Sequence, residues 1–173
     1  MDTDSSCAVA HGDADQPTSS RTLVAVFTSP VAHFLLRYGH DVGYRTVLVE
    51  PERGRIAADD TADDDVATTL PADLGDDVDV VVTDHHRAEL GLVLRDALRV
   101  STRWVGVLGN PHHPGPHLAA LRDLVVSEED IARVHRPIGL NIGSRAPAEI
   151  AIATLAGLIA DRNGKPGGFD FPA

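Results

Sequence analysis

Apolar positions along this chain switch repeatedly between two periods. Leu23–Phe27 (LVAVF) is a short, β-branched-rich apolar run, the pattern of a strand buried on both faces. Thr28-Ser29-Pro30 breaks it, and a proline suits the first turn of a helix. Val31, Phe34, Leu35 and Tyr38 then recur at helical spacing, and Gly43 ends that helix. Thr46–Val49 predicts the next strand, closed by Glu50-Pro51. Val78–Thr83 and Trp104–Leu108 predict two more, with a helix between them marked by Leu90, Val93, Leu94, Ala97 and Leu98. His117–Leu124 and Ser127–Val134 read as short helices, the second with Ser127 as N-cap. Pro137–Leu140 reads as an irregular connection or a very short strand. Pro147 to about Arg162 reads as the last amphipathic helix. The stretch 52–77 differs in texture. Asp59, Asp60, Asp63, Asp64 and Asp65 crowd together there, and it reads as a solvated loop with at most one short helix.

Buried apolar strands alternating with helices imply parallel pairing through right-handed crossovers. The expected fold is therefore a single α/β domain, a three-layer, doubly wound, mostly parallel Rossmann-like sheet over residues 21–164. A disordered leader (1–20) precedes it and a Gly/Pro-rich tail (165–173) follows. Such sheets bind ligands beyond the carboxyl ends of their strands, where the strand order reverses. The residues with candidate chemistry are then those just after each strand.

Composition narrows the partners. The 173 residues carry 15 Lys plus Arg against 26 Asp plus Glu, a formal net charge of −11. An acidic surface argues against sequence-independent nucleic-acid binding and against docking on anionic lipid. Aromatics at 4% leave little for a base-stacking platform. One cysteine, Cys7, makes neither an internal disulfide nor a Cys-rich metal site. The leader lacks a basic start and a long apolar segment, so the chain reads as cytoplasmic, without signal peptide or membrane span.

The first strand–turn–helix reads Thr28-Ser29-Pro30-Val31-Ala32-His33 where a dinucleotide fold carries G-x-G-x-x-G. Thr28 and Ser29 offer hydroxyls to a phosphate, or Ser29 caps the helix. Glu50 stands where an acid grips a ribose hydroxyl pair, or is simply a strand end. Thr83-Asp84-His85-His86 follows a strand directly. Asp84 there either orients an imidazole or caps the next helix. Gly109-Asn110 and the pair His112 and His113 follow the next strand, so two histidine pairs would face one crevice. Gly109 is expected to permit a positive φ as the chain leaves the sheet. Gly106, within a strand, suggests a close approach. Gly139 and Gly143 bracket Asn141, and Ser144 and Arg145 precede a helix start at which Ala146 caps poorly. Free amides and the Arg145 guanidinium suit an anion there. No zinc motif, P-loop or nucleophile elbow is present, and no metal or catalytic residue is assigned.

The segment LGN…HLAALRDLVVSEEDIARVHRPIGLNIGSRAPAEIAIATLAGLIADRNG resembles the C-terminal, Rossmann-like domain of the XdhC/CoxI family, which carries L-G-S, then P-I-G-L-D-I-G and T-P-E-E-I-A. The resemblance is ordered from about Gly106 to Gly164 and extends weakly back to Arg21 through VTDHH and GYRTVLVEP. It implies an accessory role in maturing molybdenum hydroxylases of the xanthine dehydrogenase type. The implied ligand is the molybdenum cofactor (molybdopterin). The implied partners are the apoenzyme and a cysteine desulfurase, with a homodimer as a further possibility. By position it carries over to Thr83 with Asp84-His85, to Gly109-Asn110 and to Gly139–Arg145. Here the family's first glycine turn is Thr28-Ser29-Pro30, its Asp is Asn141, and its capping Thr is Ala146. Two other readings stand beside it: an NAD(P)-dependent oxidoreductase using Glu50 and the first turn, and a scaffold that contacts a dehydrogenase without binding a ligand.

Overall fold

The computed structural model describes residues 21–56, 65–110 and 112–168. The chain runs β1 (Thr22–Val26), α1 (Pro30–Asp41), β2 (Arg45–Val49), a single 3-10 turn (Arg53–Arg55), β3 (Asp65–Ala67) and β4 (Val78–Val82). It continues with α2 (Leu90–Arg99), β5 (Trp104–Val107), α3 (Pro116–Asp123), α4 (Glu128–Ile131), β6 (Val134–His135) and α5 (Pro147–Arg162). The six strands lie in the order β3-β2-β1-β4-β5-β6. All five pairings are parallel. The chain builds outward from β1 to β3, then crosses back to β4 on the other side of β1. That is the doubly wound sheet expected from the alternation, with its order reversing between β1 and β4.

Strand periodicity divides the core between two faces. Val24 and Val26 of β1, with Val80 and Val82 of β4, face Leu90, Val93, Leu94, Ala97 and Leu98 of α2, and Leu121 of α3. Leu23, Ala25 and Val81 face the other way, against Leu35 and Leu36 of α1 and Ala151, Leu155 and Leu158 of α5. β1 and β4 are buried along their whole length. Helices therefore cover both faces, as continuous apolar strands require.

Three expectations change. The aspartate-rich stretch contains β3, which pairs with β2 and lengthens the sheet by one edge strand. Asp59, Asp60, Asp63 and Asp64 lie outside the described residues, as do the leader 1–20 with Cys7, Pro111, and 169–173 of the tail. The helix expected over Ser127–Val134 is one turn, α4, capped as foreseen by Ser127, whose hydroxyl accepts from the Asp130 amide at 3.1 Å. Its last residue became β6, because Val134 pairs with Val105. The third concerns Gly109, whose φ is not positive; the left-handed residue on this rim is Phe27, at φ 71°.

An ion network fixes which end of α5 reaches the carboxyl edge of the sheet. Asp79, near the start of β4, is fully buried and accepts from Arg103 at 2.7 Å and from Arg162 at 2.8 and 3.0 Å. Arg162 also grips Asp77 with both oxygens within 2.8 Å. The C-terminus of α5 is thus pinned at the amino edge of the sheet. At about 1.5 Å per residue, its 16 residues carry Pro147 roughly 24 Å toward the carboxyl edge.

Candidate functional site

The carboxyl ends of β1 and β4 meet at the point where the strand order reverses. Ser29 caps α1, its hydroxyl accepting from the Ala32 amide at 3.0 Å. The same hydroxyl donates to Thr83 Oγ1 at 2.9 Å. Thr83 in turn donates to the Phe27 carbonyl at 2.8 Å, with the Val26 carbonyl at 3.1 Å. Ser29 and Thr83 thus tie the two strand exits together, and both hydroxyls remain half-buried at the rim.

Beside this pair sits Glu50, at the end of β2, with none of its side chain exposed. Oε2 accepts from the Thr28 amide at 2.9 Å and Arg87 Nη1 at 3.1 Å. Oε1 accepts from the Glu52 amide at 2.9 Å and Arg87 Nη2 at 2.9 Å. Burial pushes the Glu50 carboxyl up, but the Arg87 bonds and the two amides outweigh it and hold the group below its ordinary value. Arg87 lies 4.6 Å from the centre of the Phe27 ring and also reaches Glu89 at 3.1 Å.

The exits of β4 and β5 share one construction. Asp84 Oδ1 accepts from the His86 amide at 2.9 Å, and Asn110 Oδ1 accepts from the His112 amide at 2.9 Å. Each is an Asx turn that bends the chain across the rim. Asp84 therefore shapes its own turn and caps no helix, since α2 starts only at Leu90 without a side-chain cap. The imidazoles of His85 and His86 lie 4.1 Å apart. The His85 imidazole lies near the Leu108 backbone at the neighbouring exit. Burial, then the charges of His86 and Arg136, push His85 below the usual histidine range. Asn110, His112 and His113 are exposed.

Arg136, just after β6, clamps the β5 exit. It donates to the His113 carbonyl at 3.0 Å and the Asn110 carbonyl at 3.2 Å. Its guanidinium lies against Gly109, where a Cβ would come within 2.5 Å of Nε. A side chain at this position would therefore have to displace the Arg136 guanidinium. Among the described residues, Arg136 Nε and the Nδ1 of buried His117 have no hydrogen-bond partner. Burial and the Arg136 charge keep His117 neutral to lower pH than usual.

The segment into α5 divides in two. Gly139, at φ 83°, packs against the middle of α5, where a Cβ would lie 3.1 Å from the Thr154 amide nitrogen. It shapes the packing and stands away from the rim. Asn141, Gly143 and Arg145 are exposed further along. Ser144 accepts from the Ala146 amide at 3.0 Å and donates to Glu149, but it does not cap the helix. Arg145 makes no hydrogen bond or ion pair with the described residues.

Thr28, Ser29, Glu50 and Thr83 are thus one bonded group, and Asp84, His85, Gly109, Asn110 and His112 a second, at the neighbouring exits. Sequence reasoning missed Arg87 and Arg136. Each is a basic residue within a few positions of a strand end, the one signal that pointed to them. Among the described residues no three His, Cys, Asp or Glu side chains converge as a metal site, and no helix is long and apolar enough to cross a membrane.

A parallel sheet ordered 3-2-1-4-5-6, with helices on both faces, defines a Rossmann-type domain. A sequence model of the XdhC Rossmann domain matches residues 23–158, and the chain belongs to that family. A relative in Escherichia coli K12, the uncharacterized protein YqeB, is 45% identical over 65 residues, 38% of this chain and 12% of that protein. A solved Bacillus halodurans protein described as a xanthine dehydrogenase is similar in fold, with a TM-score of 0.64 at 22% identity. The similarity covers 84% of this chain and 45% of that one. The chain therefore spans less than half the length of either relative.

Proposed function

We propose that this protein serves as an accessory factor in the maturation of a molybdenum hydroxylase of the xanthine dehydrogenase type. In this reading it holds molybdopterin, or a similar phosphorylated guest, at the carboxyl rim. The observation that carries the reading is the family match over residues 23–158, on a sheet whose strand-end polar groups gather on one edge. The similarity to a protein described as a xanthine dehydrogenase supports the choice of client.

The residues present suit an anionic cargo in one region. The Glu50 charge is neutralised within the protein by Arg87, so it does not repel a phosphate. The β4 and β5 exits offer the Asn110 side chain and the histidine pairs, while the Ser29 and Thr83 hydroxyl protons are already donated within the protein. Arg145 is an exposed guanidinium without a carboxylate partner, suited to a bidentate phosphate grip. The molybdenum centre is cargo, destined for the client. The work of this chain is to bind it, orient it and shield it from water. No bond-making step is asked of any side chain.

Native mass spectrometry of the protein purified from its own host tests this. The reading expects a bound mass matching a phosphorylated pterin, released on denaturation. A protein that travels with the apo-hydroxylase but never with a small molecule contradicts the cargo role and leaves a scaffold.

A further inference from the structure

In a dinucleotide-binding sheet, the acid at the end of the second strand accepts the two hydroxyls of a ribose. That job needs free lone pairs facing the crevice. A carboxylate has about four lone-pair sites. At Glu50 all four are filled, by the amides of Thr28 and Glu52 and by the two arms of the Arg87 fork. The Arg87 side chain is itself 8% exposed, laid against the Phe27 ring and held from its far side by Glu89. The guanidinium thus fills the corner between the ends of β1, β2 and β4, where a nucleoside ribose would sit.

The first turn is narrowed in the same way. In a dinucleotide site its amides point at the pyrophosphate. Here the Thr28 amide is spent on Glu50 and the Ala32 amide on Ser29. Pro30 has none to give. The ribose half of a nucleoside-diphosphate grip is filled, and the pyrophosphate half keeps only the amides of Ser29 and Val31.

We propose that Arg87 is a specificity determinant: its guanidinium occupies the ribose seat, so the rim accepts a phosphorylated guest over the β4 and β5 exits and rejects one whose nucleoside arm reaches β2. The choice of guest rests on the reading above; the exclusion of the nucleoside arm rests on the Glu50–Arg87 geometry alone. Removing Arg87 frees two lone pairs on a buried carboxylate, and a ribose brings two hydroxyl donors to meet them.

ADP-ribose is the probe, since it carries both the pyrophosphate and the ribose pair. Titration calorimetry of the wild-type protein is expected to show no saturable binding up to about 1 mM, the edge of measurable affinity. The variant Arg87→Ala is expected to gain ADP-ribose affinity at least about tenfold above that limit. Arg87→Lys keeps a cation beside Glu50 while vacating the fork, so it provides a second opening if the alanine variant does not fold. Saturable ADP-ribose binding by the wild type overturns the proposal, and so does a folded Arg87 variant that stays blind to ADP-ribose. Molybdopterin is titrated in parallel: its failure to bind counts against the cargo reading alone, and the ADP-ribose result counts against Arg87 alone.

Discussion

Glu50 and Arg87 show how one ion pair closes a corner of the molecule. Removing one partner from a buried pair leaves an uncompensated charge and typically costs about 3–5 kcal/mol. Glu50→Gln is expected to destabilise the fold on that scale, read from denaturant unfolding. The double variant Glu50→Gln/Arg87→Met is expected to recover part of the loss, since both charges then leave together. A negligible effect of Glu50→Gln would contradict the burial and saturation of that carboxylate. The pair also sets an acid limit. The Glu50 value is lowered in the folded protein, so its stabilisation is complete above the unfolded carboxylate range and is lost as pH falls through the folded value. His85 and His117 act in a milder window. Both are held neutral by burial and by Arg136, so the unfolded chain takes up their protons first. Their contribution is complete above about pH 6.5 and declines as pH falls below it. The melting temperature is therefore expected to drop as pH falls below about 6.5, and the double variant His85→Gln/His117→Gln is expected to flatten that slope.

At the scale of elements, the strands buried on both faces and the long helices were legible because their periods are unambiguous. β1, β4 and α5 fall where the apolar patterns put them. β3 and β6 were not legible. Each is an edge strand of two or three residues, too short to show a period. What makes them strands is the neighbour each pairs with, β2 for one and β5 for the other. The candidate site divides the same way. Ser29, Thr83, Asp84 and Asn110 were visible as polar residues just after strands. Arg87 was not, because its partner Glu50 is 37 residues away and only the fold brings them together. Gly139 shows a different limit. Its place beside Asn141 suggested ligand contact, while its structural role is to let the chain lie against α5. Gly139→Ala is expected to lower stability by about 1–2 kcal/mol from the left-handed backbone alone, more if Thr154 cannot shift. Thermal unfolding reads this, and a neutral result would contradict the close approach. Arg162→Met is expected to loosen the other end of α5, leaving fully buried Asp79 with Arg103 as its remaining ion partner.

At the scale of the molecule, an acidic protein presents one edge on which its buried carboxylate, Glu50, is compensated from within by Arg87. The exits of β1 and β4 are stitched by Ser29 and Thr83, and the loop beyond β5 by Arg136. α5 aims its uncapped start, with Arg145 just before it, toward the same edge. Titration of the wild-type protein and its Arg145→Ala variant with molybdopterin tests this arrangement most directly. The account predicts saturable binding by the wild type, weakened about tenfold or more in the variant, worth about 1.4 kcal/mol, with no change in melting temperature. Equal affinity in the two proteins, or no saturable binding in either, would contradict it.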